Sequence, residues 1–187
     1  MNTPKSLKIK GAAGFTLVEL LVVITIIVIL TALTIGAMGW VQRLAAVKKC
    51  RAQMALLENG IQQYHAATGT YPEGDTSLVV YQALFGDGVG PDGVLGTLDD
   101  EAPDGEPDDG AKIYLPDLDP KTNSSKMVKV SGSRATGLMD PFGSEYIYMG
   151  GARFKTEMNN PDFDLSSKGP DGKNKTPAEQ GDDLNNW

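Results

Sequence analysis

The 187-residue chain carries 17 basic and 24 acidic side chains, one histidine and one cysteine, for a net charge of −7. That length suits one ordinary domain plus an additional helix. The acidic balance argues against a nucleic-acid surface, and a lone cysteine, Cys50, excludes an intrachain disulfide.

Residues 1–14 contain Lys5, Lys8 and Lys10 and no acid, so they read as a targeting segment with a cytoplasmic N-terminus. From Phe15 onward the side chains sum to −10. An apolar run then extends from Phe15 to Trp40 with one charge, Glu19. At ~1.5 Å per residue it is long enough to cross a hydrocarbon core of ~30 Å. Burying a single carboxylate costs about 2.5 kcal/mol or more by insertion scales. Glu19 therefore either lies near a helix end and reaches the headgroups, or is met by a cation inside the membrane. The run is about twice an ordinary signal-peptide core, and no Ala-x-Ala site follows it promptly. An uncleaved signal anchor is the alternative reading.

Beyond Trp40 the apolar character narrows to a stripe: Val41, Leu44, Val47, Cys50, Met54, Leu57, Ile61 and Tyr64 recur at spacings of three and four. This predicts one helix from Phe15 to Thr68, apolar all round in its first half and amphipathic in its second. Gly69 and Tyr71-Pro72 end it. Cys50 reads as a small buried apolar residue, and His65 as a partly exposed helix residue.

Residues 75–85 suit a short second helix or an apolar turn. Gly86 to Gly110 follows with nine acids, seven glycines, three prolines and no Lys or Arg. It predicts an acidic loop without regular structure. The loop either stays solvated or is ordered by an ion. An EF-hand fails on its letters, because position 12 counted from Asp100 is Ala111. Further on, Lys112–Leu115, Lys126–Val130, Glu145–Met149 and Ala152–Thr156 are candidate strands, with a turn at Asp140-Pro141-Phe142-Gly143. A long striped helix followed by short strands predicts an α+β domain of antiparallel strands laid on the helix.

Gly14-Phe15-Thr16-Leu17-Val18-Glu19-Leu20 resembles the prepilin N-terminus of type IV pilins and type II secretion pseudopilins. The resemblance implies cleavage by a prepilin peptidase after Gly14, N-methylation of Phe15, and an assembly role for Glu19 as fifth residue of the processed chain. It divides the chain into a leader (1–14), a transmembrane and filament-core half-helix (15–40) and a periplasmic pilin-like domain (41–187). Tyr71-Pro72 and Asp140-Pro141-Phe142-Gly143-x-x-Tyr146 resemble the major pseudopilin pattern, with Phe142 in place of its tryptophan.

Residues 164–187 are similar to the calcium loop of that subfamily. The resemblance places ligands at Asp171 and Asp183, with Asp182 as the alternative to the latter. It adds the backbone carbonyls of Lys168 and Asn185. Residues 172–182 are a longer insertion than the family pattern has. Calcium suits such a set because it takes about six to eight carboxylate and carbonyl oxygens. It would substitute structurally for the missing disulfide.

The resemblance implies as partners further copies of the chain in a helical homopolymer, the prepilin peptidase, minor pseudopilins, an inner-membrane assembly platform, and membrane lipid before assembly. A surface type IV pilin and a membrane-anchored calcium-binding module that never polymerises stay open beside the pseudopilin. No Ser-His-Asp set, zinc-ligand cluster or phosphate loop is present in the letters, so the chain does not read as an enzyme.

Overall fold

The computed structural model describes residues 14–98, 100–173 and 181–187, and leaves the side chains of 34–38 undescribed. The leader lysines Lys5, Lys8 and Lys10 lie outside the described residues. The chain divides into two compact units, one ending at Gln42 and one running from Arg43 to Trp187.

Helix α1 spans Leu17–Thr68, 52 residues. It begins two residues later than the apolar run, because Thr16 serves as its cap. At its other end Gly69 takes φ +80°, a left-handed conformation that costs glycine little, and its N–H closes on the His65 carbonyl at 2.8 Å. Before Gln42 every described side chain of α1 is exposed. The apolar segment with described side chains, 17–33, is seventeen residues, and no described helical stretch is long and apolar enough to cross a membrane. The expected span of 15–40 draws on letters beyond that segment.

Within the second unit, Cys50, Met54, Leu57, Ile61 and Tyr64 are all buried, as the stripe predicts. The stripe is shorter than expected, however, since Leu44 stays exposed and Val47 only half-buried. Burial starts where the sheet residues begin: Cys50 Sγ lies 3.6 Å from the Tyr146 hydroxyl, and that hydroxyl donates to Gln53 Oε1 at 3.1 Å. Helix α2 (Ser77–Phe85) adds Val80, Tyr81, Leu84 and Phe85 to the same core.

Two small antiparallel sheets complete the unit. One pairs β1 (Val128–Ser131) with β2 (Arg134–Leu138). The other has the order β3 (Ile147–Gly150), β4 (Phe163–Ser167), β5 (Leu184–Asn185). The α+β class of the sequence reading stands, but the strand list changes. Lys112–Leu115 is not a strand: the Tyr114 and Leu115 N–H groups both donate to the Leu84 carbonyl, closing the end of α2. Ala152–Thr156 is not one either, because Gly151 at φ +95° turns the chain into a 3₁₀ turn over Ala152–Phe154. β2, β4 and β5 have no counterpart among the candidate strands.

The loop of residues 86–110 holds no helix or strand among its described residues. Its order comes from its own carboxylates. Asp87, 1% exposed, accepts the Tyr81 hydroxyl at 2.6 Å and the N–H groups of Asp104 (2.9 Å) and Gly105 (3.0 Å). Asp108 accepts from the Gly90 N–H and Asp100 from the Gly96 N–H. Leu95 N–H, in turn, donates to the Tyr64 hydroxyl of α1 at 3.1 Å.

Candidate assembly terminus and acidic cluster

The head of α1 is built by a reciprocal cap. The Thr16 N–H and hydroxyl both donate to Glu19 Oε2, at 2.9 and 2.7 Å, while the Glu19 N–H donates to Thr16 Oγ1 at 3.2 Å. This is a capping box, with threonine at the cap and glutamate three residues on. The carboxylate also lies where the helix dipole favours negative charge. Gly14 and Phe15 precede the box in exposed, non-helical backbone, and a Cβ on Gly14 would meet nothing within 4 Å. Gly14 and Phe15 are thus exposed among the described residues. Thr-x-x-Glu is legible in the letters, yet the sequence reading treats Glu19 only as a charge that reaches the headgroups or is met by a cation, not as a cap.

The C-terminal cluster grows out of β4. After Ser167 the chain turns through a 3₁₀ segment, Gly169–Asp171. That turn is pinned from behind: Asp140 accepts the Phe142 and Ser144 N–H groups through Oδ1 and the Ser167 hydroxyl through Oδ2 at 2.6 Å. Ser167 Oγ then accepts the Gly169 N–H at 3.1 Å. The Asp140-Pro141-Phe142-Gly143 turn therefore positions the acidic turn, a link that no letter pattern announces. Gly169 takes φ +64°, and a Cβ on it would overlap the Asp182 carbonyl, so the close approach of the two acidic segments here requires glycine.

β5 returns the chain end to β4 through the pairs Ser166–Asn185 and Ser167–Leu184. Asp171, Asp182 and Asp183 consequently converge, each offering one carboxylate oxygen within 4.8 Å of the others. Asp182 Oδ2 accepts the Asp171 N–H at 3.2 Å, and Asp171 Oδ1 the Lys173 N–H at 2.9 Å. Both aspartates that the sequence reading weighed against each other are in the cluster. Lys168 precedes the 3₁₀ turn and Asn185 lies in β5, so both flank the cluster by chain position. Of the insertion, 174–180 lies outside the described residues.

The donor set fits a hard divalent cation. Oxygens on one calcium ion at about 2.3–2.6 Å are at most ~5 Å apart, a limit the three carboxylates meet. Three negative groups this close also favour a cation between them.

Cys50 is fully buried, and burial pushes its thiol above the ordinary cysteine range. It is inert packing. His65 stacks on Tyr71, ring centroids 4.1 Å apart and 7° from parallel.

Comparison with known proteins adds three findings. A model of the prokaryotic N-terminal methylation motif matches residues 9–35, which include Gly14, Phe15 and Glu19. No match to a curated protein emerges. Among solved structures, the crystal structure of the major pseudopilin from the type 2 secretion system of enterohaemorrhagic Escherichia coli is similar, with a TM-score of 0.43 and 18% identity. The alignment covers 81% of this chain and 94% of that one. The matched methylation motif lies at the head of the long helix α1, and the small antiparallel sheets follow it in the chain.

Proposed function

We propose that the chain is the repeating subunit of a type II secretion pseudopilus, a periplasmic filament that drives folded proteins across the outer membrane. The observation that carries the reading is the methylation motif at residues 9–35, on the apolar head of α1. Prepilin peptidase cuts after Gly14, and the Phe15 amine is methylated. The apolar half-helix holds the chain in the bacterial inner membrane, with the second unit in the periplasm. An assembly platform then lifts subunits into a helical homopolymer below minor pseudopilins. Helix heads that are apolar all round pack against copies of themselves when they leave lipid.

Glu19 meets the Phe15 amine of a neighbouring copy in that core. A charge pair in low dielectric outweighs one in water and neutralises a carboxylate that would be costly alone. The capping box gives this idea a sharper test than alanine provides. Glu19→Gln keeps a residue able to cap and removes the charge; Glu19→Ala removes both. Equal loss of filaments in the two variants, with helix content unchanged by circular dichroism in Glu19→Gln, is the expected outcome. Normal filament yield from Glu19→Gln would show that the carboxylate serves the cap alone.

Calcium at Asp171, Asp182 and Asp183, with the Lys168 and Asn185 carbonyls as further donors, closes the C-terminal loop. It supplies structural cross-linking that a one-cysteine chain cannot obtain from a disulfide. This favours the periplasmic pseudopilus over a surface type IV pilin. The intact mass of the chain from its native membrane tests the whole reading. A chain beginning at N-methylated Phe15 supports it. A chain retaining residues 1–14 beside an active prepilin peptidase overturns it and leaves a non-polymerising membrane-anchored module.

A further inference from the structure

Each of the two acidic segments of the C-terminal cluster is fastened to β4 by side chains that are not among its carboxylates. The first clip is Asp140 with Ser167. Asp140 is buried, and its oxygens are taken up by the Phe142 and Ser144 N–H groups and the Ser167 hydroxyl. Ser167, buried as well, passes the hold on, because its Oγ accepts the Gly169 N–H two residues before Asp171. The Gly169 carbonyl in turn accepts the Gly172 N–H at 3.3 Å, so Asp171 sits inside a closed turn.

The second clip is Asn186, three residues beyond Asp183. Its side chain lies along the β4 backbone: Oδ1 accepts the Leu165 N–H at 2.8 Å, and Nδ2 donates to the Phe163 carbonyl at 3.0 Å. Its own N–H donates to the Leu165 carbonyl at 3.2 Å. With the pairs Ser166–Asn185 and Ser167–Leu184, these bonds fix the segment that carries Asp182 and Asp183. One strand therefore holds both halves of the cluster in register.

Carboxylates whose oxygens lie within 4.8 Å of one another repel, and a mobile loop would let them spread. Here the fold keeps them together, so the freedom of the two segments is lost on folding and not when an ion arrives. We infer that Ser167, braced by Asp140, and Asn186 are positioning residues of the cation site, which set its affinity without touching the ion. The inference rests on the calcium reading and adds to it residues outside the ligand set.

The test is calcium titration of the full chain in detergent by calorimetry, with folding in chelator checked by circular dichroism. Ser167→Ala and Asn186→Ala should each raise the calcium dissociation constant about tenfold, as loss of supporting groups around a metal site does. Tyr81→Phe removes a buried hydroxyl that serves loop 86–110 instead, so it should lower stability and leave the constant unchanged. A merely structural role for Ser167 and Asn186 would lower stability alike in calcium and in chelator, with the constant unmoved. Amide exchange of the calcium-free wild type gives a readout that needs no variant: the Gly169 and Leu165 N–H groups should already be protected.

An unmoved constant in Ser167→Ala and Asn186→Ala overturns the inference. So does an equal rise in Tyr81→Phe, which would make affinity follow general stability. Free exchange at Gly169 and Leu165 until calcium is added overturns it too, because the ion would then build the arrangement itself. Failure of the calcium reading is separate and takes the inference with it: the wild type then shows neither binding heat nor a calcium-dependent shift in melting temperature.

Discussion

Two stretches of the second unit share a composition and fold by opposite rules. Loop 86–110 and the C-terminal stretch from Lys168 are both rich in Asp, Gly and Pro. In the first, carboxylates are aimed at backbone N–H groups: Asp87 alone accepts three hydrogen bonds, from Tyr81, Asp104 and Gly105. In the second, Asp171 and Asp182 each accept a backbone N–H as well, but Asp171, Asp182 and Asp183 also converge, one oxygen of each within 4.8 Å of the others. An acidic loop completed by its own amides needs no ion, whereas one whose acids converge gains from a cation. Counting acids does not distinguish the two cases; the direction in which the carboxylates point does.

The largest effect should come from the first loop. Asp87→Ala leaves a hydroxyl and two backbone N–H groups without their buried acceptor, a cost of about 3–5 kcal/mol in folding stability. Urea unfolding measures it, and the loss should be the same with calcium or with chelator. A loss that calcium repairs would break the comparison, because loop 86–110 would then hold an ion as well.

The second effect belongs to the C-terminal cluster. Saturating calcium should raise stability by about 2.7 kcal/mol when present at a hundredfold excess over its dissociation constant. Asp171→Asn combined with Asp183→Asn should abolish that gain and change stability in chelator far less. Asp182→Asn should reduce it as well, since the structure places Asp182 among the three. A melting temperature indifferent to calcium in the wild type would remove the ion from the account. The acids would then be a solvated turn.

These two regions also mark where the letters are informative. The stripe from Cys50 to Tyr64 is legible because burial on one helix face repeats every three or four residues, and all five of its deeper members are buried. The same rule overreached at Leu44, since periodicity shows which face is apolar and not how far the sheets extend over it. β4 was missed for the opposite reason. Phe163–Ser167 is buried along its whole length, yet three of its five side chains are polar. Asp164 takes the N–H groups of Asn159 and Asn160, and Ser167 donates to Asp140. A strand whose polar residues are satisfied from other segments shows no alternation. The aspartates of the C-terminal cluster were legible through resemblance, but the Asp140–Ser167–Gly169 chain that positions them is a property of the fold.

The smallest effect probes how the first loop is joined to the core. Tyr81 is fully buried and its hydroxyl donates to Asp87, so burial first, then the hydrogen bond and charge of Asp87, hold its ionisation well above the ordinary tyrosine range. A raised native value means that the folded chain keeps a proton which the unfolded chain gives up near pH 10. Stability supplied by this group is therefore complete below about pH 10 and falls above it, by about 1.4 kcal/mol per pH unit. Tyr146 and Tyr148 are raised by burial too, so the whole protein loses stability at high pH. The contribution of the loop is isolated by subtraction. Tyr81→Phe should be less stable than wild type at neutral pH yet decline less steeply above pH 10, as followed by urea midpoints across that range. Parallel declines would mean that Tyr81 ionises as easily in the native state as in the unfolded one, and that Asp87 is anchored by the two backbone amides alone.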